Sequence, residues 1–430
     1  MCRVAMLSVH GCPLDRLGAR EAGGMQLYVR ELSRHLGTLG LQVDVFTRLA
    51  KPDLPEVVWF GENSRVIHLR AGEVAPMDKY AILSHLPEFV CSVRRFMERE
   101  QLEYQFLHSH YWLSGWVGAA LQRSWGRQNG QLGDRQPRHV PHAITFHTLG
   151  LLKNQSGIGD LEDQTRIDVE RRLIGNADSI VVSTDHERQA LVDLYGAYGP
   201  DVQVIPPGVD QERFRPIDRA IARAELGLGD EPVLVFVGRI DPVKGLDTLL
   251  RAVALLEDAP DLRLFILGGN GNGNGNPNGD SEARHLRDLA SELGLDSRVS
   301  FVGPVEQELL SVYYSAADAC VIPSHYESFG LVALEALACG TPVIAARVGG
   351  LPSIVQEGEN GLLVDRHTPA GFAEAIRLLL TDAPLRARLR SAAPGSIDRF
   401  TWDQTAAEIF QLYHYLNTRC EPQQVCLCDH

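Results

Sequence analysis

The 430-residue sequence predicts an α/β protein made of two parallel-sheet domains. Three observations predict it. Short apolar runs alternate with helix-length periodic segments along the whole chain, the signature of parallel strands joined by crossover helices. The pattern breaks at a turn-rich link, Pro206-Pro207-Gly208-Val209-Asp210, near the middle of the chain. Each half then has roughly the 200 residues of one domain. The expected divisions are a Rossmann-like domain over 1–207, a second over 208–400, and a terminal segment over 401–430.

The elements follow in order. Strands are expected at Val4–Val9, Val43–Phe46, Arg65–Leu69, Phe106–His108, His142–Phe146, Ser179–Val182 and Val202–Ile205. Helices lie between them, among them Met25 to Leu39 and Asp168 to Gly175. In the second half, strands are expected at Val233–Gly238, Arg263–Leu267, Val299–Phe301, Ala319–Ile322 and Thr341–Ala345. Thr401 to Leu416 reads as an amphipathic helix with Trp402, Ile409, Tyr413 and Leu416 on one face. Residues 269–279 alternate Gly and Asn and read as a surface insertion. Open parallel sheets take ligands beyond the carboxyl ends of their strands, so two such edges facing each other define a cleft.

The most informative segment is Pro323 to Ala336, where Glu327 and Glu335 lie eight residues apart around Ser328-Phe329-Gly330-Leu331-Val332. Glu327 falls on a loop after a strand, and Glu335 about two turns into the following helix, which Gly340 ends. The amides at Phe329 to Val332 open that helix and form an anion site. A nucleotide diphosphate there would put one carboxylate toward each sugar, where it can accept two hydroxyls at once.

Bulk properties narrow the classes. Formal net charge is −14, with 22 Lys+Arg against 24 Asp+Glu up to residue 207 and 19 against 31 beyond it. Such a balance disfavours nucleic acid, which needs clustered cations. No run of 18 apolar residues marks a membrane span, and the first strand is too short for a secretory signal, so a cytoplasmic location is expected. Cys320 and Cys339 read as core filler. Cys420, Cys426, Cys428 and His430 fit no closed zinc module, and no metal site is assigned.

With Ala338-Cys339-Gly340-Thr341-Pro342-Val343-Ile344-Ala345 and Gly349-Gly350-Leu351-Pro352, the Glu327–Glu335 segment resembles the E-x7-E signature of retaining family 4 glycosyltransferases. The resemblance spans nearly the whole chain and implies the GT-B architecture, two Rossmann-like domains about a central cleft. It implies a hexosyltransferase using a nucleotide-diphosphate sugar, with Glu335 on the ribose and Glu327 on the transferred hexose. Arg239 and Lys244, after the strand ending at Gly238, would hold the diphosphate, and fixed cations there stabilise a departing anion. Many members therefore require no metal, and magnesium would at most stimulate. Ser328, Phe329, Gly330, Leu331, Val332 and Gly24 complete the expected donor contacts. UDP is the expected nucleotide, with GDP and ADP left open. The terminal helix should cross back onto the first domain.

The acceptor side rests on Gly23-Gly24 opening a helix, His108-Ser109-His110-Tyr111-Trp112, Phe146-His147-Thr148 and Arg166. These strings resemble the enzymes that transfer N-acetylglucosamine to inositol phosphate, and the sucrose-phosphate synthases. In both groups the acceptor carries a phosphate, and the matching positions are Lys79, Tyr111, Thr148 and Arg166. Two cations and two hydroxyls suit a phosphomonoester. Gly23 and Gln26 would line the acceptor site, although the inositol-phosphate group has Asn where this chain has Gln26. Acceptor identity stays open between inositol phosphate and fructose 6-phosphate, and a polysaccharide or lipid-linked acceptor is the alternative. His147 is expected near the anomeric carbon and His110 in the acceptor wall. Configuration should be retained, with the acceptor hydroxyl attacking on the face of the leaving phosphate. The enzyme is expected to be a monomer or homodimer.

Overall fold

The computed structural model describes residues 2–15, 23–128, 139–158, 161–199, 201–269, 277–365 and 367–420. Eight strands make the first sheet: β1 (Arg3–Leu7), β2 (Gln42–Arg48), β3 (Val57–Gly61), β4 (Ser64–Leu69), β5 (Phe106–His110), β6 (His142–Thr145), β7 (Ser179–Val182) and β8 (Asp201–Val204), in the order β3-β4-β2-β1-β5-β6-β7-β8. Six make the second: β9 (Val233–Val237), β10 (Arg263–Leu267), β11 (Val299–Gly303), β12 (Ala319–Ile322), β13 (Val343–Ala346) and β14 (Gly361–Val364), in the order β11-β10-β9-β12-β13-β14. Described pairings are parallel throughout except β3–β4.

Two strands went unexpected. β3 is an antiparallel edge hairpin partner turned at Asn63, which takes a left-handed φ of 56°. Its Trp59 is 58% exposed, so it lacks the continuous apolar character of a buried parallel strand. β14 opens on Gly361, where an added Cβ would meet the Val343 carbonyl oxygen at 2.2 Å, so the glycine serves close backbone approach. The last expected strand starts two residues late, at Val343, because Thr341 donates its hydroxyl to the Tyr314 carbonyl. The helix expected from Asp168 begins instead at Gln164, capped by Asp163 accepting from the Thr165 amide at 2.6 Å.

Burial explains the layers. Along β9, Leu234 and Phe236 face one way onto Leu246, Leu249 and Leu250 of the Leu246–Ala254 helix. Val233 and Val235 face the other way onto Ala333, Leu334 and Leu337 of the Leu331–Ala338 helix. Both faces are thus covered, as a parallel sheet requires. Cys320 and Cys339 are buried there as apolar filler.

The final helix, Trp402–Cys420, does return to the first sheet. Trp402, Ile409, Tyr413 and Leu416 pack with Val4, Met6, Tyr28 and Val43. Thr405 donates its hydroxyl to the Pro206 carbonyl at 2.8 Å, tying the helix to the link between the sheets. No described helix is long and apolar enough to cross a membrane. The Gly-Asn segment from 270 to 276, and Cys426, Cys428 and His430 of the tail, lie outside the described residues.

Candidate active site

Chain order reverses between β1 and β5 in the first sheet and between β9 and β12 in the second. At such switch points the loops leaving adjacent strands diverge and open a crevice beyond their carboxyl ends. His10 and Tyr111 follow β1 and β5, and His147 follows β6. Arg239 and Lys244 follow β9, and Glu327 follows β12. The two edges meet. Val243 and Tyr326 from the second sheet's loops pack with Phe146, Leu149 and Leu152 of the first. A Cβ on Gly24 would sit 3.4 Å from Leu331 Cδ1, which brings the Gly23–Gly24 turn onto the Glu327–Glu335 segment.

On the donor side, Lys244 Nζ lies 2.6 Å from Glu327 Oε2, and Ser324 Oγ donates to the same oxygen at 3.3 Å. The two residues expected to touch diphosphate and hexose therefore neutralise each other here. Gly349 holds the Glu327 loop: its φ is 52°, and an added Cβ would lie 1.8 Å from the Glu327 carbonyl oxygen. Gly350 N–H then donates to that carbonyl at 3.0 Å. Ser328 Oγ and Tyr326 Oη are 3.0 Å apart. Arg239 is half exposed, with Asp241 as its ion-pair partner at 3.6 Å, so the structure places it at the rim. Phe329 is buried in the core.

Gly330, at φ 112°, caps the Leu331–Ala338 helix, whose first-turn amides at Leu331 and Val332 have no carbonyl one turn back. Glu335 is the fifth residue of that helix, so it lies just over one turn in rather than two. It accepts from Tyr314 Oη at 2.9 Å and, with Leu27, Arg213, Leu331 and Trp402, lines a shallow open crevice between the sheets. Burial raises the Glu335 pKa to about 7, partly offset by the Tyr314 hydrogen bond and Arg213. A ribose hydroxyl donates best to the ionised form. With Glu335 on a ribose as expected, affinity for UDP-glucose, whose phosphates do not titrate in this range, should rise between pH 6 and 8 in wild type and be flat in Glu335→Gln, measured by calorimetric titration.

The expected acceptor residues converge. Arg166, 1% exposed, donates to Tyr111 Oη at 3.0 Å and to the Thr148 carbonyl and hydroxyl at 2.7 and 3.0 Å. Its guanidinium also lies over the Tyr111 ring, 4.8 Å from the centroid. Glu170 accepts from Arg166 Nε at 2.7 Å. Lys79 Nζ donates to both oxygens of Glu162, at 2.9 and 2.7 Å. Lys153 Nζ and Arg166 Nη1 reach the same carboxylate at 2.7 and 3.1 Å. Burial opposes ionisation of Glu162, but Arg166, Lys153 and Lys79 outweigh it and hold the carboxyl well below its usual range. Gln26, by contrast, is turned onto its own helix, accepting from the Gly23 amide at 2.9 Å. Reasoning from sequence missed Lys153, Glu162 and Tyr80. The one available signal was lysine scarcity: of four lysines, three lie in this cleft and only Lys51 pairs elsewhere, with Asp15.

The first sheet and the loops that leave it carry a histidine array, in which His108, His110 and His142 are buried and His10 and His147 partly buried. His147 Nε2 is 3.0 Å from His110 Nδ1, and His108 bridges Tyr413 Oη and Thr145 Oγ1 at 2.7 and 2.9 Å. His147 and Tyr111 both hold left-handed φ angles, 61° and 77°, which costs about 1–3 kcal/mol each and concentrates at functional sites. Burial is the main cause that lowers the pKa of His10, His108 and His147 to about 3 and of His142 to about 4, and it lowers His110 as well. His147 is therefore neutral at physiological pH and can donate or accept a hydrogen bond without carrying charge.

A pH dependence of stability follows. A histidine whose folded pKa is depressed leaves the unfolded chain binding more protons below about pH 6.5, so its effect is absent above that pH and destabilises as pH falls. Burial raises Glu187 and Glu335 to about 7, which acts in the opposite sense. Five histidines outweigh two carboxyls, so the melting temperature is expected to fall between pH 7 and pH 5. Scanning calorimetry showing a flat or rising profile would contradict the buried neutral array.

Two sheets with facing switch points, a carboxylate pair around a helix start and cations on both sides form one cleft. Residues 22–213 match the family model described as Glycosyltransferase Family 4, and residues 218–395 match Glycosyl transferases group 1. The D-inositol 3-phosphate glycosyltransferase of Acidothermus cellulolyticus is 43% identical over 96% of this chain and 90% of its own. That of Corynebacterium jeikeium is 41% identical over 96% and 97%. Among solved structures, sucrose-phosphate synthase from Thermosynechococcus elongatus superposes with a TM-score of 0.87 at 36% identity, covering 97% of this chain and 100% of its own. The chain belongs to the family 4 glycosyltransferases of GT-B fold.

Proposed function

We propose that this enzyme moves a hexosyl group, with retention, from a UDP-sugar (UDP-glucose or UDP-N-acetylglucosamine) to a small phosphorylated acceptor, a polyol phosphate such as inositol phosphate or a hexose phosphate such as fructose 6-phosphate. Residues 1–207 hold the acceptor and residues 208–400 the donor. The observation that carries the reading is the convergence of Lys79, Arg166, Tyr111 and Thr148 on one buried seat beside His147, from four separate segments of the chain. Two cations and two hydroxyls at one point serve a phosphomonoester better than any neutral group. The names of the relatives agree with it.

In this reading Glu335 holds the ribose and the Leu331 and Val332 amides take phosphate oxygens. Lys244 exchanges its Glu327 partner for the diphosphate as the sugar arrives, and Glu327 turns to the hexose hydroxyls. Arg239 swings from the rim to the same diphosphate. As the glycosidic bond breaks, charge grows on the leaving phosphate, where Lys244 and Arg239 stabilise it. The acceptor hydroxyl attacks from the same face, and its proton passes to the leaving phosphate oxygen. His147 hydrogen-bonds the sugar as a neutral donor. The protein's contribution is positioning and charge complementarity.

The test is a matrix of UDP-glucose, UDP-N-acetylglucosamine, GDP-mannose and ADP-glucose, each with inositol 3-phosphate, fructose 6-phosphate or no acceptor, followed by nucleotide release. Release that needs a phosphorylated acceptor supports the reading. Equal release without one would move the acceptor to a glycan or lipid-linked saccharide.

A further inference from the structure

Glu162 sits where the acceptor phosphate would bind, and the inference drawn from it rests on that reading. Its carboxylate is 2% exposed and accepts from Lys79, from Lys153 at 2.7 Å and from Tyr80 Oη at 2.8 Å, with Arg166 Nη1 at 3.1 Å. Among the described residues these are the cations that meet at this end of the cleft, and an anion of the protein's own already occupies them. Charge counting sharpens the point. Lys79, Lys153 and Arg166 bring three positive charges, and the fully buried Glu170 on Arg166 Nε removes one. What remains matches a phosphate dianion if Glu162 leaves. If it stays, the dianion adds to a carboxylate in a poorly solvated site, where like charges repel strongly.

Glu162 is also placed to leave. It precedes the helix that starts at Gln164, and its backbone is held by Asn154, whose Oδ1 accepts from the Glu162 amide at 2.7 Å. Because it lies ahead of that helix, a move of its side chain does not require the helix to unwind.

We propose that Glu162 is a specificity-determining residue: an internal carboxylate that occupies the acceptor-phosphate seat until a phosphomonoester displaces it. A neutral sugar or polyol has no charge with which to compete for three cations, so it meets a filled seat. A phosphomonoester brings two charges and three oxygens and replaces the carboxylate on the same donors. Specificity then comes from exclusion of the unphosphorylated analogue as well as from attraction.

The opposing idea is that Glu162 merely anchors the lysines, and it predicts effects of opposite sign. Inorganic phosphate is the probe, titrated calorimetrically into the full-length wild type, Glu162→Gln and Glu162→Asp. Displacement predicts that Glu162→Gln binds phosphate on the order of tenfold more tightly, because phosphate no longer has to part a carboxylate from three cations. Glu162→Asp, which keeps the charge, should stay near wild type. Weaker or unchanged binding in Glu162→Gln, or no phosphate binding by either protein, overturns the proposal. Should Glu162→Gln fold poorly, a crystal of the wild type soaked in phosphate decides. Phosphate on Lys79, Lys153 and Arg166 with the Glu162 carboxylate moved off them is expected, and a carboxylate still on the lysines overturns the proposal. If Glu162→Gln tightens phosphate yet no phosphorylated acceptor supports turnover in wild type, the displaced carboxylate stands and the acceptor reading falls.

Discussion

Lys244→Ala is expected to lower kcat by about 10²–10³-fold while leaving the melting temperature and the acceptor KM near wild type. Lys244 sits at the C-terminal end of the short Pro242–Lys244 turn, with Gly245 at φ 67° bringing the backbone against the Pro323 carbonyl. That close approach sets Nζ 2.6 Å from Glu327, so the ammonium is held at the boundary between diphosphate and hexose. Its side chain is 22% exposed, and Ser324 remains as a partner for Glu327, so little folding energy depends on it. The further charge that it stabilises develops as the sugar departs, which is why the loss should fall chiefly on kcat. Steady-state kinetics with saturating donor checks this. A rise in donor KM with kcat unchanged would make Lys244 a ground-state binder only.

Arg166→Met is expected to be the most damaging single change on the acceptor side, costing about 3–5 kcal/mol of stability. The guanidinium is buried against Glu170, Glu162, Tyr111 and Thr148. Its removal strands the Glu170 carboxylate, which is 0% exposed and otherwise bonded only to neutral groups, the Gly150 amide and Tyr195 Oη. Two carboxylates would then face two lysines where three cations stood. Denaturant unfolding should show the loss, and addition of a Glu170→Gln change should recover part of it. Full stability in Arg166→Met would mean that the buried network is not organised around this residue.

The sequence made the donor half of the site legible because its parts are contiguous. Glu327 and Glu335 share one loop-helix unit, and Arg239 to Lys244 share another, so strand-loop-helix reasoning placed them. The acceptor half comes from four separate segments. Lys79 and Glu162 are 83 residues apart, and nothing in their local patterns says that they touch. Matching to related enzymes found Lys79, Tyr111, Thr148 and Arg166 but not Glu162, because an internal counter-ion leaves no signature of its own. Strand positions were legible from apolar runs to within two residues at most termini. Strand order was not, since spacing does not distinguish a β1-β5 neighbour from a β2-β5 one. β3 escaped notice because an exposed edge strand needs no continuous apolar run, as Trp59 shows.

The most direct measurement of the central claim compares one acceptor with and without its phosphate, in wild type and in Lys79→Met. With UDP-sugar saturating, kcat/KM for fructose 6-phosphate or inositol 3-phosphate is read against fructose or inositol. The account predicts that removing the phosphate costs wild type at least about 10²-fold, as expected for losing charge-assisted bonds in a buried site. It also predicts a markedly smaller penalty in Lys79→Met. Equal rates for the phosphorylated and plain acceptors in wild type would contradict it.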